Sequence, residues 1–418
     1  MTRALRHRPF RWIGALYAVD SLLEWCGSIA LMVVVYGRTD STTVAAGMLL
    51  CKQVAPGALV PLAGPTLDRL SVGRALTVAF ALQAVALLAI SAIGYGPLLF
   101  PIAVLAGAAG AIVRALVRTG AALSLPGDDL RAGNAFLNIA MAVCGLAGPA
   151  LAAVAVSAFG ALPVLAAVAG LLAVCSALAA CMPHLAGDAS AVVATADEPA
   201  QDDHRQRSGA PQVPLAWLLG LVGLVTCVFS MDDPTLLAYS ERALHAGVEG
   251  YGLIFAAWGV GVTAGSVVFT RLLHWPMLRV YALATTLAGC AYLGMSVSPS
   301  LGVTCAIAIV GGVGNGMDWI AIVTAVQETA PRGQEARAAR HLEAIGMVGP
   351  GVGILVGGVL ADLTTPRLTL LIPGVLALLV LLLGTLAVRV RELRLRDGLT
   401  TLASRPTTLP SPITGGSA

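Results

Sequence analysis

Two carboxylates lie inside the first long apolar segment of the sequence, and a lysine lies inside the second. Asp20 and Glu24 are four residues apart, so a helix places them on one face, roughly 12 and 18 Å from Trp12, where that segment begins. Lys52 is the only lysine in the chain. Buried charges need partners, and a buried carboxylate can take up and release a proton. The pattern predicts either a packed ion-paired network or a site that carries a coupling proton.

Other polar side chains interrupt later apolar segments. Asp232 and Asp233 precede Pro234, Asp318 lies between Met317 and Trp319, and Asn315 lies three residues before Asp318. Arg114 lies within a fourth such segment. Asp232 and Asp233 belong either to a solvated rim or to an interior cavity.

The elements that must position these groups are apolar helices. Of the 418 residues, 57% are hydrophobic and only 11% are charged, and the mean hydropathy is +0.86. So few charges cannot cover a water-soluble protein of this size. The apolar runs lack two-residue alternation, which excludes a β-barrel. Each predicted helix is long enough to cross a bilayer, and the twelve lie near 12–36, 43–63, 74–94, 97–119, 133–157, 160–182, 214–238, 249–272, 279–297, 300–326, 341–361 and 368–389.

The arginines predict the orientation. With the N-terminus inside, the outer loops receive only Arg38, Arg242 and Arg367, and all other arginines outside the apolar segments fall on the cytoplasmic side. This is the distribution of the positive-inside rule. We therefore expect a multi-pass inner-membrane protein with both termini in the cytoplasm.

The polar stretches suggest the domain boundaries. Residues 183–213 are rich in Asp, Glu and Arg and predict a cytoplasmic linker. Residues 397–418 are rich in Thr, Ser, Pro and Gly and predict a disordered tail. The remaining chain divides into two six-helix halves, residues 1–182 and 214–396.

A repeat links the two halves at one constant displacement along the chain. Gly145, Gly148 and Pro149 recur as Gly346, Gly349 and Pro350, and Gly64 recurs as Gly265. Such parallel halves are a known transporter plan. Glycines at this spacing let helices approach closely, and Pro149 can bend its helix. They serve either packing or a sliding surface.

The sequence resembles the major facilitator superfamily over nearly its whole length. The loop after the second segment, Gly64-Pro-Thr-Leu-Asp68-Arg69-Leu-Ser-Val-Gly73-Arg74, is similar to the family's loop signature, with one extra residue between Asp-Arg and Gly-Arg. Gly145-Leu-Ala-Gly148-Pro149 is similar to the fifth-helix signature of drug/proton antiporters, and residues 118–134 resemble the macrolide and siderophore efflux branch. The resemblance implies an all-α membrane fold of twelve helices in two pseudo-symmetric bundles.

The resemblance also implies roles for the residues named above. In this fold the first, fourth, seventh and tenth helices line the central cavity. The expected proton-coupling and cavity residues are Asp20, Glu24, Lys52, Asp232, Asp233, Asn315, Asp318 and Trp319. The expected gating residues are Gly64, Asp68, Arg69, Gly73, Arg74, Arg114, Arg118, Gly145, Gly148, Pro149, Gly349 and Pro350, with Arg118 as a partner for a charge latch around Asp68.

These features favour proton-coupled export of small amphipathic compounds by a monomer. The expected partners are a small-molecule substrate, protons and membrane lipid, with no nucleic acid, cofactor or metal. Import of a nutrient or metabolite through the same fold is the alternative. A membrane enzyme acting on lipid-linked substrates is less favoured, because the chain lacks His-Glu-x-x-His, a phosphate loop and a nucleophile elbow. A membrane sensor would need a sizeable soluble domain, which the sequence lacks.

Overall fold

The protein is almost entirely helical in the computed structural model, which describes residues 4–53, 70–181, 215–329 and 335–403. After a short 3₁₀ turn (Ala4–Arg6), the first half contains α1 (Arg8–Thr39), α2 (Thr42–Gln53), α3 (Val72–Ile93), α4 (Leu99–Ser124), α5 (Gly127–Phe159) and α6 (Ala161–Ala180). The second half contains α7 (Leu215–Ala243), α8 (Gly247–Arg271), α9 (Met277–Ser296), α10 (Leu301–Thr329), α11 (Glu335–Leu363) and α12 (Pro366–Ala403).

The described part of the chain holds ten helices that are long and apolar enough to cross a membrane. The other two, α2 and α11, occupy the second and eleventh predicted positions, so the predicted all-α fold class is confirmed. The described part of α2 ends at Gln53, and the rest of the predicted segment 43–63 lies outside the described residues. The predicted linker 183–213 also lies outside them.

The helix ends in the structure differ most from the predicted ends where charged residues flank the apolar core of a helix. α5 begins at Gly127, six residues before the predicted start, and α12 continues to Ala403, past the predicted start of the tail at 397. Arginine and leucine are strong helix formers, so the Arg- and Leu-rich stretch after residue 388 extends the last helix.

The two halves have equivalent packing. A Cβ atom added to Gly148 would lie 2.6 Å from Cβ of Trp25, and one added to Gly349 would lie 2.5 Å from Oγ1 of Thr226. The two glycines are related by the displacement of the sequence repeat, and so are their partners, Trp25 and Thr226. The repeat in the sequence therefore corresponds to a repeated helix crossing, α1 with α5 and α7 with α11.

Glycines let α7 and α11 pack with backbone against backbone. A Cβ atom at Gly353 would collide with the carbonyl oxygen of Cys227, and one at Gly357 with that of Met231. Close approach of this kind supplies the packing that holds helices together in lipid. The halves meet each other through α5 with α8 and α2 with α11.

Large apolar side chains are exposed on the outside of the bundle. Val85, Val154 and Leu88 are 64%, 63% and 54% exposed. An apolar surface of this extent is unfavourable for a monomer in water, but it is favourable in contact with lipid hydrocarbon. The exposed surface therefore fits a multi-pass membrane protein.

Candidate functional site

An ion pair lies at the contact of α1 and α2 in the first half. The Lys52 ammonium donates hydrogen bonds to Oε1 of Glu24 at 2.9 Å and to Oγ of Ser28 at 2.6 Å. Lys52 is buried, with its side chain 2% exposed, while that of Glu24 is 22% exposed. The pair joins two of the residues that the sequence predicted to act together.

Two further helices complete this group, which we call the acid–lysine cluster (Asp20, Glu24, Lys52, Gln83 and Arg114). Gln83 of α3 donates from Nε2 to Oε2 of Glu24 at 3.4 Å. A Cβ atom at Gly110 of α4 would lie 3.4–3.6 Å from Gln83 Nε2, Glu24 Oε2 and Arg114 Nη1. The Arg114 guanidinium therefore lies near the Glu24 carboxylate, and its predicted gating role stays a prediction.

Asp20 is the buried member of the cluster without a bond. It is 1% exposed, and its carboxylate makes no hydrogen bond or ion pair with any residue that the structure describes. Burial of an ionised carboxylate without a partner costs much free energy. Asp20 is therefore the carboxylate of the cluster without a bonded partner in the described part of the chain, whereas Glu24 has Lys52 as its counter-ion.

A second acidic site lies in the other half, where α7 is interrupted. Its helical segments Leu215–Phe229 and Asp232–Ala238 are separated at Ser230 and Met231. Pro234 lacks the backbone N–H that would bond to the carbonyl of Ser230, which explains the break. The break presents Asp232 and Asp233 to a cavity of about 170 Å³.

Aromatic rings form much of this cavity, which we call the acidic pocket (Phe229, Asp232, Asp233, Phe255, Trp258, Tyr292 and Asn315, with Ser230, Leu236 and Ile254). The ring centroids of Trp258 and Tyr292 are 5.5 Å apart, and those of Phe229 and Tyr292 are 5.6 Å apart. The hydroxyl of Tyr292 donates to Oδ2 of Asp232 at 2.7 Å. Asp233 has no such donor among the described residues.

An aromatic contact connects the two sites across the halves. Trp25 follows Glu24 in α1, and its ring centroid lies 6.2 Å from that of Phe255. Gly145 and Gly148 of α5 make room for the Trp25 side chain. The fifth-helix glycines thus support the side chain that joins the acid–lysine cluster to the acidic pocket.

The other predicted residues of α10 are separated from one another. Asn315 lines the acidic pocket. Asp318 is buried and accepts a hydrogen bond from Oγ1 of Thr285 in α9 at 3.0 Å. Trp319 is 47% exposed and lies against Gly346 of α11. Of these three residues, only Asn315 is placed in the pocket.

Residues absent from the predicted site connect the halves at one end of the bundle. We call this end, where α1, α7 and α11 finish, the far end. The Asp362 carboxylate of α11 accepts hydrogen bonds from the hydroxyl of Ser41 at 2.6 Å and from the backbone N–H groups of Thr42 and Thr43 at 2.7 and 2.8 Å. These two N–H groups open α2 and have no acceptor within that helix. A carboxylate of one half therefore caps a helix of the other.

A second bond supports the first at the far end. Arg242, at the end of α7, donates at 2.6 Å both to the carbonyl and to Oδ1 of Asp40, in the connection between α1 and α2. Its guanidinium also lies 5.4 Å from the ring centroid of Tyr36. Arg242 was predicted in an outer loop, but no signal in the sequence indicated a partner in the opposite half of the chain.

The predicted charge latch around Asp68 is not settled by these contacts. Gly64, Asp68 and Arg69 lie outside the described residues. Gly73 is buried, while Arg74 and Arg118 are exposed and form no ion pair within the described ranges. The latch stays a prediction.

Pro149 and Pro350 lie inside α5 and α11. The carbonyl of Pro149 would lie 3.2 Å from a Cβ atom at Gly252 of α8, so this turn of α5 forms part of the contact between the halves. The gating role predicted for Pro149 and Pro350 stays a prediction.

Comparisons with known proteins agree with this architecture. Residues 218–401 match the model of the Major Facilitator Superfamily. No curated protein matches the chain in sequence. The fold is similar to the nucleoside transporter NupG (TM-score 0.72, 13% identity, 91% of this chain and 99% of that chain). It is also similar to the POT family transporter PepTSo (TM-score 0.70, 9% identity, 93% and 99%) and to a bacterial homologue of the iron transporter ferroportin in an inward-facing state (0.62, 17%, 88% and 98%).

The match to the Major Facilitator Superfamily covers most of the second half of the chain. The fold of the whole chain is similar to that of membrane transporters of known structure.

Proposed function

We propose that the chain is a secondary transporter that exports small amphipathic compounds in exchange for protons, by alternating access, as a monomer whose far end faces away from the cytoplasm. The observation that carries this proposal is the buried Asp20 carboxylate beside the Glu24–Lys52 ion pair. Ionisable groups at this depth in a membrane helix are expensive and are retained for a function.

In this proposal the carboxyl group of Asp20 carries the coupling proton. In the conformation bonded at the far end, Asp20 is buried without a partner and is neutral. Substrate entering from the cytoplasm rearranges the cavity near Trp25, which adjoins Glu24, and allows water to reach Asp20. The proton then leaves to the cytoplasm, and the ionised carboxylate shares the positive charges of Lys52 and Arg114.

The far-end bonds form one side of the alternating-access switch. Asp362 and Arg242 bond to the other half only when the far end is closed, so these contacts stabilise one of two conformations. Opening toward the far side must break both. Export, rather than import, is favoured by the antiporter-like glycines and proline of α5.

Transport into proteoliposomes with an imposed pH gradient tests the proposal. Suitable probes are ethidium, a permanent cation, and chloramphenicol, a neutral amphipathic compound, because neither redistributes passively as a weak base. Antiport predicts accumulation when the lumen is acidic. Accumulation only when the lumen is alkaline would indicate proton symport, the mode of an importer, and would contradict export.

Variants of the acid–lysine cluster separate coupling from folding. Asp20→Asn should abolish gradient-driven accumulation but retain exchange of labelled for unlabelled substrate, because the variant mimics the neutral carboxyl. Glu249→Gln removes an exposed carboxylate of α8 far from the cluster and should behave as the wild type. Unchanged gradient-driven accumulation in Asp20→Asn would refute the role of Asp20.

A further inference from the structure

The acidic pocket holds two carboxyl groups that are adjacent in α7, and none of the described residues that line the cavity is basic. Asp232 has the Tyr292 hydroxyl as a donor, but a hydroxyl supplies no positive charge. A ligand that brings a positive charge would stabilise the ionised forms of these two carboxyl groups.

The walls of the pocket distinguish between kinds of cation. Trp258, Tyr292 and Phe229 form a continuous series of ring contacts, and Phe255 closes one side. Aromatic faces attract diffuse organic cations. Small inorganic cations instead require six or more oxygen ligands, or retain their water, and ring carbons cannot replace that water. The walls therefore favour an organic cation over a metal ion.

The position of the pocket suits a transported ligand. Phe255 contacts Trp25 of the other half, so the pocket borders the interface that must open and close during alternating access. Its volume of about 170 Å³ gives room for a small cationic head group with one ring.

We propose that the acidic pocket is the binding site for an organic cation of the quaternary or aromatic ammonium class, held by Asp233 and Asp232 and by the faces of Trp258 and Tyr292. The proposal rests on the proposed transport function and names the substrate class for it. The carboxylates supply the counter-charge, and the rings select a weakly hydrated cation.

Equilibrium binding to the purified full-length protein tests this site without any gradient. The probes are benzyltrimethylammonium and neopentylbenzene, its neutral isostere with carbon in place of the ammonium nitrogen, and the measurement is isothermal titration calorimetry. The cation should bind at least about tenfold more tightly than the isostere. Equal affinities, or no binding of the cation by folded protein, would overturn the proposal.

Variants identify the pocket as the site. Asp233→Asn and Trp258→Leu should each weaken binding of the cation by about tenfold or more, whereas Trp258→Phe should retain most of it. Glu249→Gln, which removes an exposed carboxylate elsewhere in α8, should leave affinity within about twofold. An unchanged affinity in folded Asp233→Asn would refute the assignment. If Asp233→Asn does not fold, the comparison of cation with isostere on the wild type still decides.

The binding result and the transport result are separable. Cation binding with no gradient-driven flux would support the pocket and contradict the proposed coupling. Proton-driven flux of chloramphenicol without any cation binding would support transport and overturn the cation site.

Discussion

Replacing Asp362 by Asn should open the far end of the bundle. The wild-type carboxylate caps α2 from the opposite half with three hydrogen bonds. The amide keeps one acceptor oxygen, loses the charge, and turns an NH₂ group toward backbone donors. Because α2 and the Asp362 carboxylate belong to different halves, loss of these hydrogen bonds destabilises only the closed conformation.

The magnitude follows from helix capping. Loss of a cap costs about 0.5–2 kcal/mol, and loss of a negative charge at a helix N-terminus costs about 0.3–1 kcal/mol more. Asp362 is exposed to solvent, so water replaces part of what is lost, and we expect about 1–2 kcal/mol. This corresponds to a shift of roughly 5- to 30-fold in the ratio of closed to open conformations.

Distance measurements across the far end provide the assay. Tyr95 and Val297 follow α3 and α9, are 41% and 72% exposed, and belong to different halves. Spin labels attached there through an unnatural amino acid leave the eight native cysteines in place. The wild type should show mainly the short distance, and Asp362→Asn should show a larger population of the long one.

A matched control removes a far-end charge that bonds to nothing across the interface. Glu249→Gln, in the first turn of α8, should give the wild-type distance distribution. If Asp362→Asn also gave the wild-type distribution, the reasoning that Asp362 holds the halves together would be refuted.

Two further substitutions test the packing and charge of the first half. Lys52→Ala removes the ammonium that donates to Glu24, and since Arg114 remains nearby and Glu24 is partly exposed, it should lower the free energy of unfolding by about 1–3 kcal/mol. Adding Glu24→Gln should recover part of this loss, and thermal unfolding of the purified variants that shows no recovery would contradict the pairing. Gly148→Val places a branched side chain against Trp25 and should cost about 1–3 kcal/mol; Gly148→Val combined with Trp25→Ala should unfold at a higher temperature than Gly148→Val alone, and equal melting temperatures would refute the contact.

The helical architecture could be predicted from the sequence because a membrane helix has a local signal, a continuous run of apolar residues. Each apolar run is a property of about twenty consecutive residues, and within the described residues the structure has a helix at each predicted position. The constant displacement of the repeat also had a physical origin. Gly148 and Gly349 are placed against Trp25 and Thr226, which are related by that same displacement.

The candidate site was only partly predictable, because partnership between distant helices has no local signature. Asp20, Glu24 and Lys52 could be grouped because burial of charge requires partners. The position of the Arg114 guanidinium near Glu24 could not be predicted, because depth along α4 gives no information about the direction of a side chain. Asp362 was missed for the same reason, because its partners at and just before the start of α2 are 319–321 residues away in sequence.

The acidic pocket shows how a local signal can be ambiguous until helices pack. Asp232 and Asp233 before Pro234 predicted either a solvated rim or a cavity. The break that Pro234 causes in α7, together with Trp258 of α8 and Tyr292 of α9, decides for the cavity. In the sequence alone, Trp258 was a candidate either for ligand contact or for packing, and Tyr292 had no distinguishing signal.

Proton movement during substrate transport tests the central claim most directly. Proteoliposomes that contain a pH-sensitive dye would receive ethidium on one side, with membrane potential clamped and no initial pH gradient. The proposed antiport predicts that protons leave the lumen as ethidium enters, and that Asp20→Asn abolishes this proton movement while ethidium exchange continues. Ethidium entry by the wild type with no proton movement, or with protons entering alongside it, would contradict the account.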